Sequence, residues 1–195
     1  MKISVKCKCF DELTQQEQSR IQVLRNEVFH TAQHLGQQGM DSKDRFSRHL
    51  LLYKNDKICG YARLLPPGLV YDEISADKFV VATSYRGKHI GHILTEKVIA
   101  ACYRYYGDHP IRISTPCYGR KFYTSFGFKR TSEIYMKSGI GHIQMVKQRA
   151  NFSSTKTNLV INSTRLSGNG AKALDKDDRN FAFSIQAEAI CSAIA

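Results

Sequence analysis

The stretch Val80-Val81-Ala82-Thr83-Ser84-Tyr85-Arg86-Gly87-Lys88-His89-Ile90-Gly91-His92 constrains this chain more than any other, because a β-branched apolar run stops there at a polar turn and a helical pattern begins. Beyond the turn, apolar positions recur at Ile90, Ile93, Leu94, Val98, Ala101, Cys102 and Tyr105, the period of an amphipathic helix. The turn's backbone N–H groups therefore sit at a helix N-terminus, where several donors lack partners and the helix dipole is positive. Such an end suits a phosphate. Gly87 and Gly91 let a ligand come close to the backbone, and Arg86, Lys88, His89 and His92 gather charge and donors around the same turn. Many strand-to-helix connections need glycine for steric reasons, so this stretch alone leaves open both a phosphate cradle and a plain connection.

Ahead of it, Ile3, Val5, Cys7 and Cys9 alternate with Lys2, Ser4, Lys6 and Lys8, the pattern of a strand with one wet face. Thr14 and Glu17 stand at capping-box spacing, and Leu13, Ile21, Leu24 and Val28 share one helical stripe, which predicts a helix ending near Phe29 or His30. Polar residues fill Thr31 to Arg48. Asp41, Asp44 and His49 have spacings compatible with a metal, but carboxylates in a polar loop are more simply solvated or turn-capping, and no metal is expected.

Leu50 to Tyr53, a turn at Asn55-Asp56, and Ile58 to Leu65 read as a hairpin that Pro66-Pro67-Gly68 ends. Leu69 to Asp77 reads as irregular, and Lys78 to Ala82 as the strand entering the central turn. After the long helix, Ile111 to Ser114 form a short strand and Pro116 sits where a helix can start. Phe122, Phe126 and Phe128 crowd round Gly127. Lys129 to Tyr135 and His142 to Lys147 are the last two strands, joined at Lys137-Ser138-Gly139. The expected order is β, α, β, β, β, α, β, α, β, β.

From Gln148 the composition turns to Asn, Ser, Thr and Lys, which divides the 195 residues into a domain, 1–148, and an extension, 149–195. In the extension, Leu159 to Ile161 suggest a strand and Phe181, Ile185 and Ala189 one face of a short helix. Apolar positions such as Phe183 and Ile190 predict packing on the main domain or on a second copy of the chain, as in a homodimer. The formal charge of +12 creates a positive surface field that could serve nucleic acid, an acidic protein, an anionic membrane or a polyphosphate. Against nucleic acid, the basic residues are spread along the chain rather than gathered with aromatics. Six cysteines show no Cys-x-x-Cys spacing and follow no secretory leader, so they read as reduced thiols in the cytoplasm. No apolar stretch approaches the ~20 residues that span a bilayer.

The turn Arg86-Gly87-Lys88-His89-Ile90-Gly91, followed by Phe122-Tyr123-Thr124-Ser125-Phe126-Gly127-Phe128, resembles the paired signatures of the GNAT acyltransferase superfamily. Tyr61-Ala62-Arg63-Leu64-Leu65-Pro66-Pro67-Gly68 and Gly139-Ile140-Gly141-His142-Ile143-Gln144-Met145 look like its ElaA-like branch, where Asp41, Asp44, His49, Glu133 and Tyr135 also match in type. The likeness covers roughly residues 3 to 148. It implies an α/β (α+β) fold with a mixed, mostly antiparallel central sheet flanked by helices, and a transferase that moves an acetyl group from acetyl-CoA, its cosubstrate, to a small-molecule or peptide amine. No covalent intermediate is implied.

The resemblance also assigns residues. The splayed strand Phe79, Val80 and Val81 is the family's position for the backbone N–H that steadies the carbonyl oxygen, and the pantetheine arm lies beside it as a further strand. The pyrophosphate falls on the N–H groups of Arg86, Gly87, Lys88, His89, Ile90 and Gly91. Tyr123 matches the general-acid tyrosine: a phenol of pKa ~10 can protonate a departing thiolate whose conjugate acid has pKa ~8.5. Spacing turns Tyr123 about 100° from a shared Phe122 and Phe126 face, which sets the catalytic reading beside a core one. For the general base, Glu73, His142 and a water chain all stay open.

This sequence departs from the family at three places. His89 replaces the first glycine of the turn, which predicts a negative φ there; Pro116 lacks the side-chain amide that often holds the cofactor. Lys137-Ser138 replaces an acidic pair, which favours an anionic or neutral acceptor over a polycationic one. The competing readings are a non-catalytic module that binds CoA or nucleic acid, and an acyl-homoserine-lactone synthase, a related fold with an Arg-Leu-Leu-Pro run like Arg63 to Pro66.

Overall fold

The computed structural model describes residues 3–33 and 40–149; the expectations for the extension lie outside the described residues. Strand β1 (Ile3–Cys9) leads through a short 3-10 turn to helix α1 (Gln15–Gln33), a little longer than its pattern suggests. The capping box is formed. Glu17 N–H donates to Thr14 Oγ1 at 3.1 Å and Thr14 N–H to Glu17 Oε2 at 2.8 Å, so two donors that the first helical turn would leave idle are used.

Strands β2 (Arg48–Lys54) and β3 (Lys57–Leu65) make the expected hairpin. Asn55 and Asp56, with φ of 50° and 58°, supply the left-handed pair that matches the twist of a tight hairpin. Strand β4 (Ile74–Val81) begins four residues before the position that alternation suggested. Its first residues, Ile74 and Ala76, go to the core while Ser75 and Asp77 meet the other face, and the polar pair disguises the strand. Helix α2 (Ile90–Tyr106) then crosses to β5 (Ile111–Pro116), and a 3-10 turn leads to α3 (Arg120–Ser125). The single strand expected over Lys129 to Tyr135 is two, β6 (Lys129–Arg130) and β7 (Tyr135–Lys137), before β8 (Ile140–Lys147). Both pair with β8, and Thr131 N–H still reaches Gln144 O at 2.9 Å between them.

The eight strands form one sheet in the order β1-β2-β3-β4-β5-β8-β6, with β7 also on β8. Every pairing is antiparallel except β4 with β5. That parallel pair is joined only at Ile74 with Ile111 and Ser75 with Arg112; beyond these residues the two strands part and leave a wedge in the sheet.

Both faces are covered, so β2 and β3 read as nearly continuous apolar runs. Leu50, Leu52, Ala62, Leu64 and Val81 pack with Ile90, Leu94, Val98 and Cys102 on the α2 side. Leu51, Tyr61, Val80 and Ala82 pack with Ile21 and Leu24 on the α1 side. Each such fully buried aliphatic side chain contributes about 1.5–3 kcal/mol. Among the described residues no helix is long and apolar enough to cross a membrane.

Candidate active site

Three parts of the chain meet at the wedge, and the first is the end of β4. Its register with β3 slips between the pairs Tyr61 with Val80 and Arg63 with Asp77, so β4 carries an extra residue, and Lys78 takes a left-handed φ of 55°. Such a bulge bends its strand and increases the twist. Ala82 N–H donates to Cys59 O of β3 at 2.9 Å. Alternation along the strand turns the N–H groups of Val81 and Phe79 the opposite way, towards the wedge.

The second part is the turn. Arg86 N–H closes on Thr83 O at 3.3 Å, and its Nε donates to Val81 O at 3.3 Å, so Arg86 is tied to the end of β4. Lys88 Nζ donates to Ser84 O at 2.9 Å. The first bond of α2 runs from Ile93 N–H to His89 O at 3.2 Å, which leaves the N–H groups of Ile90, Gly91 and His92 without helical acceptors.

The negative φ expected at His89 is wrong: His89 has φ 58° and ψ 13°, and Gly87 has φ 68°. A left-handed L-residue costs roughly 1–2 kcal/mol, although histidine is among the residues enriched there. Left-handed residues in this turn bring successive N–H groups onto one concavity, so the backbone keeps the glycine conformation without the glycine. The His89 ring packs edge-on against His92 at 5.8 Å.

The third part is α3. Tyr123, only 3% exposed, has its ring among Phe79 (5.8 Å), Phe122 (5.0 Å) and Phe128 (5.8 Å), all edge-on. Phe122 and Phe126 share a face, half-buried against His92 at 4.9 and 5.6 Å, while Tyr123 is turned from them and faces inward, which gives it the core position as well. A helix of six residues takes its inner face from what lies beneath it, here Phe79 of β4. Among the described residues the Tyr123 hydroxyl has no hydrogen-bond partner. Burial pushes its pKa well above that of an ordinary phenol, so it is protonated at neutral pH.

The α1 side of the sheet at the wedge is polar. Arg112 Nε donates to Glu73 Oε2 at 3.0 Å, its Nη2 pairs with the other oxygen, and its Nη1 donates to Gln144 Oε1 at 2.7 Å. Ser114 Oγ and Tyr135 Oη are hydrogen-bonded at 2.5 Å. His142, 5% exposed, donates from Nδ1 to Ile140 O at 2.9 Å. The Arg112 hydrogen bond holds the Glu73 carboxyl below the usual carboxylate range, whereas burial lowers the His142 pKa. Of these two base candidates, Glu73 is committed to an arginine.

Asp41, Asp44 and His49 come together, but around arginines. Arg25 makes a two-point contact with Asp44 (2.6 and 3.0 Å) and donates to Tyr61 Oη at 2.6 Å. Tyr61 Oη in turn meets His49 Nδ1 at 2.9 Å, and His49 Nε2 reaches Asp44 O at 3.0 Å. Arg63 grips Asp77 at two points, both 2.8 Å, and lies 2.6 Å from Asp41 and 3.1 Å from Asp44. The turn-capping reading holds, since Asp41 accepts from Lys43 N–H at 2.9 Å and Asp44 from Asp41 N–H at 2.7 Å. The solvated reading fails for Asp44, whose side chain is fully buried because two guanidinium groups replace its water. Sequence reasoning missed this network; the signal was a lone arginine, Arg63, inside the apolar run Tyr61 to Leu65.

The model of the acetyltransferase (GNAT) domain matches residues 10–149. The chain belongs to the GNAT acetyltransferase family. Within it, the chain is 32% identical to protein ElaA of Escherichia coli over 127 residues, 64% of this chain and 83% of ElaA. The crystal structure of Escherichia coli ElaA superposes with a TM-score of 0.69 at 28% identity, covering 75% of this chain and 100% of that one. An acyl-CoA N-acyltransferase from Pseudomonas aeruginosa gives 0.70 at 28%, covering 75% and 99%. A CoA-dependent acyl-homoserine lactone synthase, BjaI, shares the fold alone, with a TM-score of 0.62 at 14% identity over 76% of this chain and 85% of that one. This GNAT chain is thus of the ElaA-like branch and carries an acyltransferase fold, in a family that generally uses acyl-CoA.

Proposed function

We propose that this protein is an acetyl-CoA-dependent N-acetyltransferase in which an amine attacks the thioester directly. The observation that carries the reading is the contact of Tyr123 with Phe79, which sets a protonated hydroxyl beside the strand whose N–H groups face the wedge. The pyrophosphate rests on the N–H groups from Gly87 to Gly91, with Arg86, Lys88 and His89 supplying charge or donors, and the pantetheine arm lies along Phe79, Val80 and Val81. Arg86 contributes its charge only, because its N–H is already used. Attack on the carbonyl carbon places negative charge on its oxygen, which an outward N–H of Phe79 or Val81 stabilises without reorganisation. Collapse breaks the C–S bond, and Tyr123 gives its proton to the thiolate.

The acceptor is a small-molecule or peptide amine, and the lysine at Lys137 favours a neutral or anionic one. The test is to mix pure protein with acetyl-CoA and a panel of amines and follow free thiol. Amine-dependent thiol release is expected; CoA binding without release for any amine returns the protein to a binding role.

A further inference from the structure

We infer that His142 is the group that takes the proton from the attacking amine. This assignment rests on the acetyltransferase reading above. Counting from the paired residues Ile74 and Ile111, the bulge of β4 lies level with Thr115 and Pro116 of β5. His142 is the residue of β8 directly opposite Pro116. It therefore stands on the same rung as the carbonyl-activating N–H groups, one strand beyond the opening.

Its side chain is on the α1 side of the sheet, away from the α2 core. Ile143 and Met145, its neighbours in alternation, belong to the α2 core, whereas Gln144 bonds Arg112 and the partner strand's Ser114 bonds Tyr135. Tyr123 belongs to the α2 core, so the proposal puts the acetyl donor on that face and the amine on the other, beside His142. The bond from Nδ1–H to Ile140 O fixes the tautomer and leaves the lone pair on Nε2. Among the described residues Nε2 has no hydrogen-bond partner.

The groups that face the ring are few. Tyr135 of β7 lies 6.1 Å away, ring to ring, and Lys137 of the same strand acts on it through charge. Cys117 follows Pro116 on the neighbouring strand and sits close to Gly141. Arg112, four residues along β5 from Pro116, is neutralised by Glu73. Burial and Lys137 both act against protonation, which keeps His142 neutral and able to accept a proton at neutral pH.

In the step itself the amine nitrogen's lone pair forms the N–C bond, the C–S pair leaves with the CoA sulfur, and Tyr123 protonates that sulfur. Before attack the charged amine gives a proton to His142 Nε2, which passes it to water; after attack the second proton on nitrogen leaves to water and water restores the proton on Tyr123, so charge and protons balance. Nothing is oxidised or reduced.

The test is His142→Gln, whose amide can still donate to Ile140 O. Two probes are used: an alkylamine that is charged at neutral pH, and hydroxylamine, which is mostly neutral there. Expected is a loss of turnover of about 100-fold with the alkylamine, a much smaller loss with hydroxylamine, and unchanged calorimetric affinity for CoA. In the wild type, kcat/KM with the alkylamine should fall below a pKa lower than that of ordinary histidine, and this acid limb should match the titration of the His142 ring by NMR. That match serves where the variant does not fold. Equal losses with both probes, or an acid limb that survives the substitution, overturns the assignment. A wild type that binds CoA yet acetylates neither probe overturns the acetyltransferase reading and the base with it.

Discussion

At the scale of single residues, the site depends on backbone groups that side chains guard. Gly91→Asp adds bulk and a like charge where the pyrophosphate is placed, and CoA affinity should fall at least tenfold, about 1.4 kcal/mol, by calorimetry. Tyr123→Phe keeps the ring that packs on Phe79 and removes only the proton. Its fold and CoA affinity should match the wild type while thiol release slows by about 100-fold; equal release at neutral pH would return Tyr123 to the core alone. The residue types of the turn and of Tyr123 were legible in the sequence. The left-handed φ at His89 was not, because a residue with a side chain argues for a negative φ there. Tyr123's burial stayed one of two readings for a related reason: periodicity in a six-residue helix cannot say which face meets β4.

Among elements, those with a strong period were readable and those with a divided environment were not. The capping box of α1 and the hairpin of β2 and β3 follow from local chemistry. The start of β4 was hidden by Asp77 and Ser75, polar residues that the sheet accepts because Arg63 meets Asp77. Glu17 shows how one cap joins three elements: it also accepts from Lys8 of β1 at 2.7 Å and from Tyr53 of β2 at 2.6 Å. Burial alone would raise its pKa, but these bonds outweigh burial and bring it down to about 2. A carboxyl depressed in the folded state adds stability above its unfolded pKa and loses it as pH falls towards the folded value. Acid should therefore weaken the wild type between about pH 4.5 and 2 more than it weakens Glu17→Gln. At pH 7 that variant should be less stable by about 1–2 kcal/mol after allowance for solvent screening, as thermal or urea unfolding at each pH can check.

For the whole molecule, the family match ends at residue 149, beside the boundary that composition marks at Gln148. A chain ending at Gln148 should bind CoA and release thiol at the rates of the full chain. A shortened protein that is folded by circular dichroism but inactive would give the extension a part in the acceptor site. The succession of elements was legible apart from the split into β6 and β7, but the order of strands in the sheet was not, and its opening came only from the resemblance: parting of β4 and β5 depends on a bulge in one strand and on only two paired residues.

The arginine network limits how this sequence can change. Arg25, Arg63, Asp44 and His49 are each at most 1% exposed, and they join α1, β2, β3 and the loop before β2 through shared bonds. Replacing Asp44 leaves the buried Arg25 guanidinium without its carboxylate, which costs roughly 3–5 kcal/mol, comparable with the whole stability of many domains. Replacing the set together with apolar groups can cost little. Variation here is therefore open to concerted exchange and closed to single steps, so a descendant that has lost Asp44 should have altered Arg25 as well.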